Sequence, residues 1–288
     1  MRTDCLFVSD LHGHTDRYEK LFDAIRTRRP EAVFMGGDLL PAGIMGLHAG
    51  AGVQTDFAGD YLATELGKLR ATLGDQYPDI FAILGNDDGR LAERTMLDLD
   101  RQGLWHYVHG RRYRYRQWQI FGYANVPPTP FMLKDWERYD VSRYVDPGCV
   151  SPELGTHTVP VNKHDVQWST IAEDLENLAG EHDLEYGVLL FHSPPYRTKL
   201  DRAALDGQIV DHVPLDVHIG SIAIRRFIEA RQPLLTMHGH VHESARLTGA
   251  WRDEIGRTQC LNAAHDGAEL SVISFSLEQP ERAERELM

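Results

Sequence analysis

Three short, wholly apolar runs constrain this chain most: Cys5-Leu6-Phe7-Val8, Ala32-Val33-Phe34-Met35 and Ile80-Phe81-Ala82-Ile83-Leu84. Strands buried on both faces read this way, without the alternation of a half-exposed strand. The spans between them are helix-sized. Tyr18, Leu21, Phe22 and Ile25 form an i, i+3, i+4, i+7 stripe, Asp16 and Glu19 have capping-box spacing, and Pro30 stops the segment. Leu62, Leu66, Leu69 and Leu73 line one face of a second amphipathic helix that ends at Gly74. Strand–helix–strand–helix–strand order predicts an α/β sheet with right-handed crossovers.

Downstream the pattern changes. Tyr113, Tyr115 and Ile120-Phe121 predict antiparallel strands. Gly110-Arg111-Arg112-Tyr113-Arg114-Tyr115-Arg116 reads as a two-faced strand with solvated arginines, the alternative being a phosphate- or RNA-binding patch. Residues 127–165 form an irregular insertion, and residues 41–59 a long Gly- and Ala-rich loop, both expected at the rim of a site. A helix is expected from Trp168 to Leu178, a strand at Tyr186–Phe191, a helix at Ile222–Arg231 stopped by Pro233, and a strand at Leu234–Met237. The remainder to Leu277 reads as β-structure. The expected organisation is one domain over residues 1–278, with 279–288 as a charged, frayed C-terminal tail.

Composition narrows the function classes. The net charge of −13 disfavours non-specific nucleic-acid binding. No apolar run approaches the ~18 residues of a membrane span, and the apolar stretch near Met1 is too short for a signal peptide. The three cysteines, Cys5, Cys149 and Cys260, lack paired spacing, which suits a reducing, cytoplasmic setting and argues against thiolate metal sites.

The chemistry lies where the strands stop. Asp10 and His12 follow the first apolar run, Asp38 the second and Asn86 the third; His192 closes the next strand, and His238-Gly239-His240-Val241-His242 follows the last. Loops at the carboxyl ends of α/β strands converge on one crevice. Singly, such residues are turn or cap residues; as a set they describe a two-metal site. Oxygen and imidazole donors without thiolate suit Mn, Fe, Zn or Co ions. Two such ions lower the pKa of a shared water, giving a hydroxide nucleophile, and clamp phosphoryl oxygens.

With Asp10-Leu11-His12, Gly37-Asp38, Gly85-Asn86-Asp87-Asp88, His192 and Gly239-His240-Val241-His242 in order, the chain resembles the calcineurin-like metallophosphoesterase superfamily. More narrowly it resembles the Icc-related phosphoesterases, through His192-Ser193-Pro194-Pro195-Tyr196 and His238 to Ser244. The resemblance implies a two-sheet αββα sandwich, with mixed sheets flanked by helices. It implies one metal on Asp10, His12, Asp38 and His242, and a second on Asp38, Asn86, His192 and His240, with Asp38 bridging. His238 is then a neighbour, since Gly239 selects the later His pair.

The family's His after the Asn is replaced here by Asp87, the tentative catalytic position, which can serve as a general acid only if its pKa is raised. Asp88, His14 and His238 are expected just outside the ligands. Asn86, Arg197 and His48 are expected at the substrate. The implied activity is hydrolysis of a small phosphodiester, possibly nucleotide-like. The alternatives are a phosphomonoesterase or protein phosphatase, and a metal-binding scaffold without catalysis.

Overall fold

The three apolar runs become adjacent parallel strands. A computed structural model describes residues 2–41 and 56–288. The expected loop at 41–59 therefore falls largely outside the described residues, as does His48. Along the chain lie β1 (Asp4–Val8), α1 (Thr15–Arg28), β2 (Ala32–Gly36), a π-helical turn (Phe57–Leu62), α2 (Ala63–Leu73), β3 (Asp79–Ile83), α3 (Glu93–Arg101) and β4 (His106–Tyr107). The antiparallel pair β5 (Arg111–Tyr115) and β6 (Trp118–Tyr123) follows. Tyr115 is buried and Tyr113 half-buried, while Arg112, Arg114 and Arg116 are exposed, as the two-faced reading expects.

After the insertion come α4 (Lys163–Trp168), α5 (Ile171–Ala179), β7 (Gly187–Phe191), the small hairpin β8 (Ile209–Val210) and β9 (Val213–Pro214), α6 (Ile222–Arg231) and β10 (Leu235–His238). The chain closes with α7 (Ser244–Thr248), β11 (Arg252–Ile255), β12 (Thr258–Asn262), β13 (Ser271–Ser276) and β14 (Gln279–Leu287). Among the described residues, no helix is long and apolar enough to cross a membrane.

The strands form two mixed six-stranded sheets, ordered β14-β13-β1-β2-β3-β4 and β11-β12-β10-β7-β6-β5. Side chains alternate across them with period two. Val188 and Leu190 of β7 join Phe7, Phe34, Met237 and Leu261 in the layer between the sheets. Leu189 and Phe191 face the other way, into a layer with Ile171, Leu175, Ile224 and Phe227 of α5 and α6. This is the expected sandwich of two sheets with helices outside.

Four local expectations are corrected. Residues 279–288 are no frayed tail: β14 pairs antiparallel with β13, for instance Ile273 with Arg285. Its pairing supplies order that its composition does not. The Asp16/Glu19 capping box does not form, because α1 starts at Thr15 with His14 as an N-cap that makes no side-chain bond. The helix expected at 168–178 is two: α4 ends at Trp168, and Thr170 begins α5 by accepting the Glu173 N–H at 3.2 Å. The segment after β10, expected as β-structure, includes the short helix α7.

The insertion is irregular, as expected, and is held by buried polar contacts. Lys134 and Glu137 pair with both side chains fully buried, and Thr129 donates its N–H to Glu137 at 2.8 Å. Asp140 accepts the N–H of Ile222 at 2.6 Å and the Ser221 hydroxyl, fastening the insertion to the start of α6.

Candidate metal centre

β1, β2, β3, β7 and β10 all deliver ligand-type residues at their carboxyl ends, and the connecting backbone is bent sharply to do so. Asp10, His12, Asp38 and His240 have φ of 58°, 48°, 50° and 72°. Left-handed backbone at non-glycine residues is strained and persists where surrounding bonds over-determine it. Here Asp10 N–H donates to Gly37 O at 3.0 Å, His12 N–H to Asp38 O at 2.8 Å, and His240 N–H to the Asp10 carboxylate at 3.0 Å. The motif glycines permit the close approach. A Cβ on Gly85 would lie 2.7 Å from His192 Cε1, and one on Gly239 would lie 2.5 Å from Asp10 Oδ2.

Asp10, His12, Asp38 and His242 converge so that one ligand atom from each lies within 4.8 Å of the others. The Nε2 atoms of His12 and His242 face each other at 3.3 Å, and His242 Nε2 is 3.1 Å from Asp10 Oδ1. Beside this group, His192 Nε2 lies 3.2 Å from Asp38 Oδ2 and 3.1 Å from Asn86 Oδ1. His192 Nδ1 lies 2.8 Å from the Gly36 carbonyl, so it carries the proton donated there and the Nε2 lone pair is left for a ligand. His240 is brought alongside with its ring centroid 5.3 Å from that of His192. The donor set is rich in lone pairs and poor in protons, so a cation fits it.

Protons substitute for that cation in the bare site. Burial alone would push His192 down, but the charge and hydrogen bond of Asp38 raise it to about 10. His242 is likewise raised to about 9, against its own burial, chiefly by Asp10. Burial would push Asp10 up, yet His242 holds it well below the usual carboxylate range. His240, buried beside charged His192, is lowered to about 3 and stays neutral. A metal held by His192 and His242 would have to displace those protons. Calorimetric titration in buffers of different ionisation enthalpy should detect between one and two protons released per loading at pH 7, with affinity rising with pH.

The remaining expected residues divide clearly. Asp87 donates its backbone N–H to Asp38 Oδ1 at 2.8 Å, and its carboxylate lies 3.6 Å from His12 Nδ1. Burial, then the charge of Asp38, raises its pKa. Asp88 is wholly buried and accepts the N–H groups of Leu40, Gly85 and Leu39 at 2.7, 2.9 and 3.1 Å, clamping the loops after β2 and β3 together. His238 is buried, stacks on Phe191 and is lowered to about 3 by desolvation; its ring nitrogens meet Ser193 O and Thr236 Oγ1. His14 is exposed at the start of α1 and outside the four-residue cluster. Arg197 is exposed with its guanidinium 5.2 Å from the Tyr196 ring.

Sequence reasoning missed Arg17. It donates to Asp10 O at 2.8 Å and Gly267 O at 2.6 Å, bracing the first ligand loop. An arginine in the first turn of an amphipathic helix gives no signal that separates it from a solvated one.

The profile of the calcineurin-like phosphoesterase family matches residues 4–244. Among curated proteins, no sequence matches the chain. Among solved structures, one crystal structure is 16% identical with a TM-score of 0.62, covering 100% of this chain and 99% of its own. That of TT1561 from Thermus thermophilus is 14% identical with a TM-score of 0.57, at the same coverage. These likenesses concern the fold, whereas the family match spans every strand end that carries a candidate ligand. The chain belongs to the calcineurin-like phosphoesterase family.

Proposed function

We propose that the protein is a dinuclear metal-dependent phosphodiesterase acting on small, nucleotide-like substrates. The observation that carries this is the convergence of Asp10, His12, Asp38 and His242, with Asp38 also facing His192. In this reading Asp10, His12, Asp38 and His242 hold one divalent ion, and Asp38, Asn86, His192 and His240 hold the other. Bound there, Mn, Fe, Zn or Co ions supply Lewis acidity and a nucleophile at neutral pH. The chain's own residues position these ions. Gly36 O fixes the His192 tautomer, and Asp87 N–H orients Asp38. Asn86 is assigned a second role, orienting the substrate phosphoryl group. The three free cysteines suit work in a reducing, cytoplasmic setting.

Asp87 sets the substrate preference. An imidazolium there would protonate a poor leaving group near neutral pH; a carboxyl beside His12 does so only with its pKa raised. Good leaving groups and diesters are therefore favoured. Asp87→His should raise turnover of alkyl-leaving-group esters by about tenfold, with little change for p-nitrophenyl esters. Abolished turnover in Asp87→Asn would instead make Asp87 an essential acid or ligand.

The direct test is hydrolysis of bis-p-nitrophenyl phosphate against p-nitrophenyl phosphate by Mn-reconstituted protein. Faster metal-dependent cleavage of the diester supports the reading. Preference for the monoester, or no turnover with metal bound, overturns it.

A further inference from the structure

A cavity of about 350 Å³ lies between the insertion, the residues after β6 and the start of the segment leading into α3. Its volume is in the range of small-molecule sites. Arg90, Asn125, Arg138 and His157 line it, with Val161 and Val166 on an apolar wall.

The acidic groups in its lining are largely spent. Glu137 is locked to Lys134. Asp135 accepts the Arg90 N–H at 2.7 Å, the Thr158 N–H at 2.9 Å and the Thr158 hydroxyl. Asp165 sits in the first turn of α4, exposed to solvent.

The cationic groups are not spent. Arg90 uses Nε toward Glu93 at 3.1 Å, and Arg138 uses Nε toward Asp174 at 3.0 Å. Among the described residues, the Nη groups of both make no hydrogen bond to protein. Arg90 is held in place with its guanidinium 5.0 Å from the Trp136 ring. Both arginines bear on neighbouring His109, which burial first and then Arg90 and Arg138 lower to about 3. Two half-buried arginines that line one cavity with Nη groups unspent are suited to an oxyanion.

A second feature points the same way. His157 Nε2 lies 3.1 Å from Pro152 O and donates to it, leaving Nδ1 as an acceptor. Among the described residues that buried Nδ1 has no hydrogen-bond partner, the carboxylate oxygen of Asp135 standing off at 3.8 Å. Native structures seldom leave such an atom unsatisfied. A hydroxyl or N–H beside the oxyanion would satisfy it.

We propose that this cavity binds a compact metabolite bearing a phosphate or carboxylate group, gripped by Arg90 and Arg138, with a neighbouring donor on His157. This proposal does not rest on the phosphodiesterase reading.

Calorimetric titration of sulfate and of inorganic phosphate, at fixed ionic strength and pH 6.5, tests it. The Asp38→Asn protein serves as background to weaken phosphate binding at the metal centre. Both anions should bind it, phosphate more tightly because at this pH it carries protons to donate and sulfate carries none. Arg90→Gln and Arg138→Gln should each weaken sulfate by tenfold or more, and His157→Phe should erase the difference between the two anions. Melting curves screen each variant for folding; if Arg138→Gln unfolds through loss of its Asp174 contact, Arg90→Gln decides alone. No sulfate binding, or unchanged binding in the arginine variants, overturns the proposal.

Discussion

Asp38→Asn should lower kcat/KM for bis-p-nitrophenyl phosphate by about 10²–10³, the scale seen when one charge-stabilising group is removed from a reacting centre. The substitution isolates charge from shape. Asparagine keeps the volume and the oxygen that accepts the Asp87 N–H at 2.8 Å. It removes the negative charge that faces His192 at 3.2 Å. His192, raised chiefly by that charge against its burial, should then hold its proton less tightly. Metal content should fall from about two ions per chain to one or none, while the circular dichroism spectrum stays that of the parent. Activity within tenfold of the parent would sink the bridging role.

Gly37→Ala should destabilise the fold by about 2–5 kcal/mol, combining overpacking with forced left-handed backbone. Gly37 has φ of 94°, which alanine avoids. A Cβ there would stand 2.6 Å from His192 Nδ1 and 2.9 Å from Leu84 O. Neither neighbour can give way. His192 is held by Gly36 and Asp38, and Leu84 is wholly buried next to β3. Calorimetry should show the melting temperature falling by about 5–15 °C. A shift under about 1 °C would mean the loops have slack that their packing denies.

Stability of the metal-free protein should also carry a pH signature. His242 contributes fully below its ordinary 6.5 and loses that contribution as pH climbs through about 9. Asp10, lowered from 3.8, contributes above that value and loses it in acid. Metal-free protein should therefore be most stable between about pH 4 and 6.5 where this pair is concerned, and denaturant midpoints across pH would show it. Metal loading should move the optimum upward, since the ions replace the protons.

Much of this centre was legible in the sequence. Strands buried on both faces leave unbroken apolar runs, and ligand residues just after them need no long-range information to be noticed. What the sequence withheld were features decided by distant contacts. β14, rich in Glu and Arg and carrying Pro280, has little intrinsic strand preference and is ordered by pairing with β13. The break between α4 and α5 was hidden because Trp168, Ile171 and Leu175 continue one helical period across it. Thr170 ends that continuity through a single cap. Asp88 is expected beside the ligands from its motif, but the three backbone donors from two loops that make it a clamp leave no local signal.

β1 lies between β2, which follows it closely, and β13, whose Ile273 pairs with Phe7. During synthesis at about 5–20 residues per second, β1 must wait roughly 10–50 s for that second neighbour to emerge. Over that interval its outer edge is unpaired and open to wrong partners. His242, 232 residues beyond Asp10, arrives almost as late. The loop that carries Asp10 is therefore made 232 residues ahead of the histidine that faces it, and a metal shared by the two would wait for that length of chain.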